Sequence, residues 1–362
     1  MRYIGNKTKL LPFLSAAIAK LGITPGTAHD AFAGTAAVGR ALKAAGWQVH
    51  SSDLMTYSYV MQRAYVVASQ TTGFEALADV DSGVRSRFET TPSGASKLAA
   101  IAAHLSDGIP PISGFLAQNF APAGGRMYFT DDNARRIDAA RTTLEEWHTA
   151  RLIDDDSYYV LLAAVIEGAD RVANTAGVYA AYIKAWQPNA LRPFSMIADQ
   201  PIASSVRCVA HQADAERVAA ALGPIDLLYV DPPYNTRQYV GYYHIPELIA
   251  RGWFNGEISL RGKTGLIPDD AQRSAWCSKR EAPLALRNLL AATGAQHVLV
   301  SYNSEGVIND AELRAILREA AVDHKERRFT RRYKRYRADS DREGRRYKGD
   351  EVRELLYYAR LR

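Results

Sequence analysis

Short stretches that read as strands, some of them apolar runs, recur along the chain, each stopping at a polar residue, and stretches of helical period lie between them. They stop at Asp30, Asp53, Asp214, Asp231 and Ser301. A run of this length bounded by turn signals reads as a buried strand, whereas apolar positions three and four apart read as one face of a helix. Leu10, Leu11, Leu14, Ala17, Ile18 and Leu21 make such a face, and helical patterns over 54–68 and 215–222 follow two of the strands. Strands alternating with helices predict an α/β fold with a mostly parallel sheet. Residues 324–336 alternate basic with aromatic positions and 352–361 are apolar and aromatic, which together predict an antiparallel hairpin at the carboxyl end. The stretch 71–204 breaks the alternation. It holds an amphipathic helical pattern over 133–147, a more fully apolar one over 158–172, and a loop at Pro92-Ser93-Gly94. The expected organisation is a sheet domain built from 1–70 and 205–362, with 71–204 inserted as a mainly helical region.

Composition narrows the class. With 362 residues, 47% of them hydrophobic and 23% charged, the chain is long enough to bury a sizeable core. No run of about 18 apolar residues is present to cross a membrane, and the stretch through Leu11 lacks the apolar region of a signal peptide. The only cysteines, Cys208 and Cys277, have no metal-ligand spacing. A reducing cytoplasm is therefore expected, with neither a metal site nor a membrane partner. The formal net charge of +6 is unevenly spread: residues 325–362 carry 15 Lys+Arg against 7 Asp+Glu, and the remainder 30 against 32. A basic excess confined to the last tenth of the chain points to a polyanionic partner.

The sharpest motif is Asp231-Pro232-Pro233-Tyr234, directly after the apolar run 225–230. Neither proline has an N–H to offer a ladder, and each holds the residue before it extended. The result is a stiff elbow at the carboxyl end of a central strand, where ligands of open α/β sheets bind. A planar heterocycle can stack on Tyr234 while its exocyclic amine donates to the Asp231 carboxylate and the Pro232 carbonyl. Upstream, Asp30-Ala31-Phe32-Ala33-Gly34-Thr35 turns from strand to helix through a glycine, which lets the backbone approach a ligand. No phosphate loop of the Lys-Ser/Thr type is present, which favours a nucleoside over a triphosphate. Asp53 ends the next strand, where an acid meets ribose hydroxyls or, alternatively, caps the following helix.

Asp231–Tyr234 resembles the DPPY catalytic motif of amino-group DNA methyltransferases, the adenine-specific ones above all. Extended through Asn235, Arg237, Gln238, Tyr239, Tyr242, Tyr243 and His244, it is similar to the narrower pattern of FokI-type adenine methylases of restriction–modification systems. Tyr3, Gly5 and Lys7 resemble the YxGxK segment at the start of these enzymes, with Asn6 where many relatives have glycine. Asp30, Phe32 and Gly34 resemble their DxFxG cofactor motif. The resemblance implies a Rossmann-like methyltransferase fold that binds S-adenosylmethionine through Tyr3, Asn6, Lys7, Asp30, Phe32, Gly34, Thr35, Asp53 and Asp214. In it Lys7 meets the methionine carboxylate and Asp214 the adenine ring amine, although Asp214 also reads as the cap of the helix behind it. Catalysis is implied for Asp231, Pro232, Pro233 and Tyr234, acting on an adenine flipped out of duplex DNA. Cytosine methylases more often carry Ser-Pro-Pro-Tyr, so Asp231 argues for adenine. Adenine in RNA and glutamine in protein are other amine substrates, and a non-enzymatic DNA-binding module is the rival from another class.

Arg237 and Gln238 are expected near DNA. So are Arg331, Arg332, Lys334 and Arg335 of the basic hairpin, whose arm over 337–348 would contact phosphates and make binding salt-dependent. In this family the insertion carries much of target recognition. Tyr179, Tyr182 and Trp186, with Lys184 among them, read either as a base-stacking surface or as core aromatics on a helix, and the second is the expectation. Residues 261–279, including Trp276, read as a loop beside the active site, closing on DNA or simply solvated. His244 lacks a matched acid or nucleophile for base catalysis. Double-stranded DNA is the expected partner, and a cognate restriction endonuclease is a candidate for a further one; with no nuclease-like acidic constellation evident in this sequence, methylation without cleavage is expected.

Overall fold

The computed structural model describes residues 1–71, 74–91, 96–268, 272–334 and 351–362. Its strands are β1 (Thr27–Asp30), β2 (Gln48–Asp53), β3 (Val209–Gln212), β4 (Pro224–Val230), β5 (Gly294–Asn303), β6 (Glu326–Lys334) and β7 (Glu351–Arg360). They form one sheet in the order β3-β2-β1-β4-β5-β7-β6. The pairs from β3 to β5 are parallel, and β7 is antiparallel to both β5 and β6. The mostly parallel α/β sheet with its carboxyl-terminal antiparallel hairpin is thus present. Strands β1, β2 and β4 end at or next to Asp30, Asp53 and Asp231, where strand ends are expected, and β3 ends two residues before Asp214.

The chain order reverses at β1, which has β2 on one side and β4 on the other. Such a switch point opens a crevice outside the carboxyl ends of the strands, and here those ends carry Asp30 and Asp231. Parallel strands covered on both faces read as continuous apolar runs. Accordingly Leu227, Leu228 and Val230 are fully buried. One sheet face packs Leu228, Val230, Val298, Val300, Leu355 and Tyr357 against the helices Ala282–Ala292 and Asp310–Ala320. On the other face lies the helix Leu11–Lys20, entered through a 3₁₀ turn Thr8–Leu10. A small cavity there is lined by Lys7, Leu10, Leu14, Tyr229, Ser301 and Glu354.

The chain divides into two compact units. The sheet unit comprises Gly5–Gln62, Ser204–Tyr239 and Asp270–Arg362; the helical unit comprises Met1–Ile4, Arg63–Ala203 and Val240–Asp269. The helical unit therefore takes in three stretches outside 71–204, namely 1–4, 63–70 and 240–269. Its longest helices, Asp131–Thr149 and Asp155–Val172, match the two periodic stretches, and side chains cap both: Thr130 accepts the Asn133 N–H and Asp154 that of Ser157. Two aspartates in each first turn suit the positive end of the helix dipole.

The aromatic stretch departs from expectation. Tyr179 is a core residue, but no helix forms between 173 and 203. The Asn174 amide instead organises the coil, donating to the carbonyls of Met127 and Ile183 and accepting the N–H of Gln187. Gly177, at φ 113°, takes a backbone conformation no helix uses. The loop at Pro92-Ser93-Gly94, Arg335 and the arm 337–348 lie outside the described residues.

Candidate active site

The first strand-to-helix turn is bound to the second strand end. Gly34 has φ 53°, and its N–H donates to Asp53 Oδ2 at 2.9 Å. Asp53 Oδ1 accepts the Met55 N–H at 3.0 Å, so this carboxylate both anchors the glycine turn and caps the chain ahead of the helix Thr56–Gln62. Ala36, two residues on, is also left-handed (φ 59°) without glycine's freedom, at a cost of roughly 1–3 kcal/mol. Asp30 is fully buried behind this turn, where its Oδ2 accepts the Gly39 N–H at 3.0 Å. Its Oδ1 is buried with no hydrogen-bond partner among the described residues. Burial and the nearby Asp231 charge push its carboxyl up to about 7.

At the end of β4 the elbow stands as its sequence dictates, with Pro232 buried and Asp231 and Tyr234 largely so. The Tyr234 hydroxyl donates to Asp231 Oδ1 and accepts from the Lys7 ammonium group. Lys7 Nζ also lies 3.3 Å from Asp231 Oδ1 and 4.7 Å from the centre of the Tyr234 ring. The ring packs edge-on against Tyr302, at 5.3 Å between centroids. Gly5 passes close by: a Cβ there would sit 3.6 Å from the ring. Burial raises Asp231 to about 6, opposed by the Lys7 charge and the Tyr234 hydrogen bond. Two neighbouring buried carboxyl groups with raised pKa make a site that favours a cation.

The remaining expected residues fall into distinct surroundings. Asn6 Oδ1 accepts the Thr8 N–H at 2.8 Å and so starts the first helical turn. Phe32 packs at 4.9 Å against Trp276, and Thr35 is partly buried beside the glycine turn. Asp214 is exposed and caps the helix Ala215–Leu222 through the Glu216 N–H. Tyr3 belongs to the helical unit, stacked 4.7 Å from Tyr243. Arg237 is exposed. Gln238 uses both ends of its amide on the backbone of Ser274, at 3.1 and 2.8 Å. Trp276 is buried rather than solvated. Arg331 and Arg332 are exposed on β6, the sheet's edge strand, to which Lys334 also belongs.

One residue the sequence reading missed stands inside this cluster. Glu354 of β7 points to the face shared with Leu356, and its Oε2 lies 3.5 Å from Lys7 Nζ. The signal was legible in principle: positions 352, 354 and 356 share one strand face, so a glutamate between two apolar residues there was a buried charge in need of a partner. Among the described residues, no group of three or more His, Cys, Asp or Glu is arranged to hold a metal ion. No helix among them is long and apolar enough to cross a membrane.

An open parallel sheet with a carboxylate–aromatic elbow at its switch point defines a class of amine-modifying enzymes. The chain belongs to the D12 class N6 adenine-specific DNA methyltransferase family, whose model matches residues 3–316. It is therefore an enzyme of DNA adenine methylation. It is 34% identical to the type II methyltransferase M.NlaIII of Neisseria lactamica, over 99% of this chain and 98% of that protein. It is 29% identical to the type II methyltransferase M.CviAII of Paramecium bursaria Chlorella virus 1, over 97% of that protein. Against the type II methyltransferase M.FokI of Planomicrobium okeanokoites the identity is 30%, and the chain spans 52% of that longer relative.

Proposed function

We propose that the methyl donor is S-adenosylmethionine and that the sheet unit carries out the transfer to the exocyclic amine of an adenine flipped out of duplex DNA. The observation that carries this reading is the pair Asp30 and Asp231, buried at adjacent strand ends, with raised pKa values and one Asp30 oxygen that has no hydrogen-bond partner among the described residues. That is the environment a sulfonium and an ammonium group would complete. The donor supplies a methyl group on a positively charged sulfur. Asp53, with the Gly34 turn, suits its ribose, and Lys7 suits its carboxylate. Asn6, Phe32, Thr35, Asp214 and Tyr3 remain members of the proposed cofactor set.

In the proposed reaction Asp231 and the Pro232 carbonyl accept hydrogen bonds from the adenine amine and turn its lone pair toward the methyl group. The Tyr234 ring gives the base a stacking face, which requires its hydroxyl to share or release Asp231 as the base enters. No base removes a proton before transfer, because the amine becomes acidic only once methylated; Asp231 then stands in place to receive that proton. Alignment of this kind supplies several kcal/mol. Arg237 and the β6 residues Arg331, Arg332 and Lys334 are proposed to meet DNA phosphates, with Arg335 continuing that basic run. Gln238 is proposed to act near DNA by holding the Ser274 segment. The helical unit is proposed to read the target. Since the named relatives are type II methyltransferases, a cognate endonuclease with the same target belongs to this reading, as does work in the cytoplasm.

The test is Asp231→Ala. Loss of one oriented acceptor lowers methyl transfer by about 10²–10³-fold, while donor binding, followed by calorimetry, weakens far less because Asp30, Asp53 and Lys7 are kept; undiminished transfer would remove the elbow from the mechanism.

A further inference from the structure

The elbow's charge balance depends on a residue far from it in sequence. Lys7 is 5% exposed and serves two carboxylates: Asp231 at 3.3 Å and Glu354 at 3.5 Å. Glu354 Oε2 is buried and makes no hydrogen bond among the described residues, so the ammonium group is its charge partner. The two carboxylates differ in freedom from the lysine. Lys7 sits on a flexible four-carbon stem. Glu354 has its backbone held on β7, the strand between β5 and β6, in register with Asn303, the last residue of β5, and with Arg331 of β6. The ammonium group stands between the strand and the elbow, almost equally far from the two carboxylates.

A buried ammonium held by one carboxylate alone forms a tight neutral pair, because attraction grows as the local dielectric falls. Such a pair at Asp231 would occupy the oxygen that the adenine amine needs. We propose that Glu354 is a positioning residue for methyl transfer: by sharing the Lys7 ammonium group, it keeps that group from pairing exclusively with Asp231, which stays available as an acceptor for the target amine. This inference rests on the amino-methylation reading given above. The groups facing Asp231 are Lys7 before the first helix, Asp30 on β1, Tyr229 on β4, Tyr234 of the elbow and Glu354 on β7. Of these Glu354 is a like charge that raises Asp231, and Lys7 an opposite charge that lowers it. Removing the Glu354 charge acts in one direction by both routes, since repulsion is lost and Lys7 moves fully onto Asp231.

The experiment compares wild type with Glu354→Gln and Glu354→Asp, using labelled S-adenosylmethionine and duplex DNA across pH 5–9. The quantity is kcat/KM for the donor, whose acid limb reports the enzyme before donor binds. In wild type it is expected to fall in two steps belonging to the coupled pair Asp30 and Asp231, the lower one carried mainly by Asp231. Glu354→Gln is expected to move the lower step to lower pH and reduce the plateau about tenfold, while Glu354→Asp, which restores the charge, returns the step toward wild type. An unmoved step in Glu354→Gln overturns the proposal, as does equal loss at every pH in both variants, the mark of a purely structural role. Failure of the underlying reading is seen separately, as transfer retained by Asp231→Ala.

Discussion

Asp30 and Asp231 end neighbouring parallel strands, yet they are held in opposite ways. Asp30 is secured by backbone: one oxygen takes the Gly39 N–H from the helix that its own strand leads into. Asp231 is secured by side chains, through the Tyr234 hydroxyl beside it and through Lys7 from the other end of the chain. The difference is one of adjustability. A carboxylate tied to a backbone N–H keeps its place whatever its charge, whereas one tied to a lysine and a phenol can exchange partners. That division suits a site in which the donor pocket is fixed and the base pocket must open and close around each target.

Breaking the fixed half has the larger expected consequence. Gly34→Val places a branched side chain at φ 53°, where an L-residue costs about 1–2 kcal/mol. Donor affinity is expected to fall at least about tenfold by calorimetry, with Asp53 losing its hold on the turn. Asp30→Asn keeps an oxygen for Gly39 but removes the charge, so donor affinity falls by about tenfold.

The same variant separates function from stability. Asp30 is raised to about 7 when folded, so the native state keeps a proton that the unfolded chain gives up near the ordinary carboxylate range. Stability is thus lost as pH rises toward and through 7. Asp30→Asn should therefore melt at a higher temperature than wild type at pH 8, with the gap narrowing as pH falls and closing near pH 4.

A finer test reads the pair as it titrates. A cationic donor lowers both carboxyl groups from about 7 and about 6, so binding at pH 6.5 should release protons. Calorimetry in two buffers of different ionisation enthalpy would detect a fraction of a proton per site, fading above pH 8. Buffer-independent heats at pH 6.5 would contradict a charged donor at this pair. The smallest effect belongs to the adjustable half: Tyr234→Phe keeps the ring and loses the hydroxyl, and should lower transfer by about two- to tenfold.

Legibility in the sequence follows the same division. Strand β4 and the middle of β5 were readable because burial on both faces leaves an apolar run with a sharp end. Strands β1 and β2, with only Ala28 and Val49 apolar, were readable instead from the acid that ends each and the turn that follows. Gly34 and the Pro232-Pro233 elbow were readable because each is a local backbone constraint. Glu354 was not singled out, since its meaning depends on Lys7 and on a sheet order that puts β7 beside β5. Gln238 was assigned to DNA without its link to Ser274, a contact no short-range pattern records. Tyr179, Tyr182 and Trp186 have helical spacing, but the Asn174 side chain supplies the backbone partners of a coil there instead.

The most direct measurement is transfer from labelled S-adenosylmethionine to duplex DNA, followed by digestion and separation of the nucleosides. The account predicts label in N6-methyladenine alone, confined to one sequence context. Label in cytosine, or a donor that binds without labelling DNA, would contradict it.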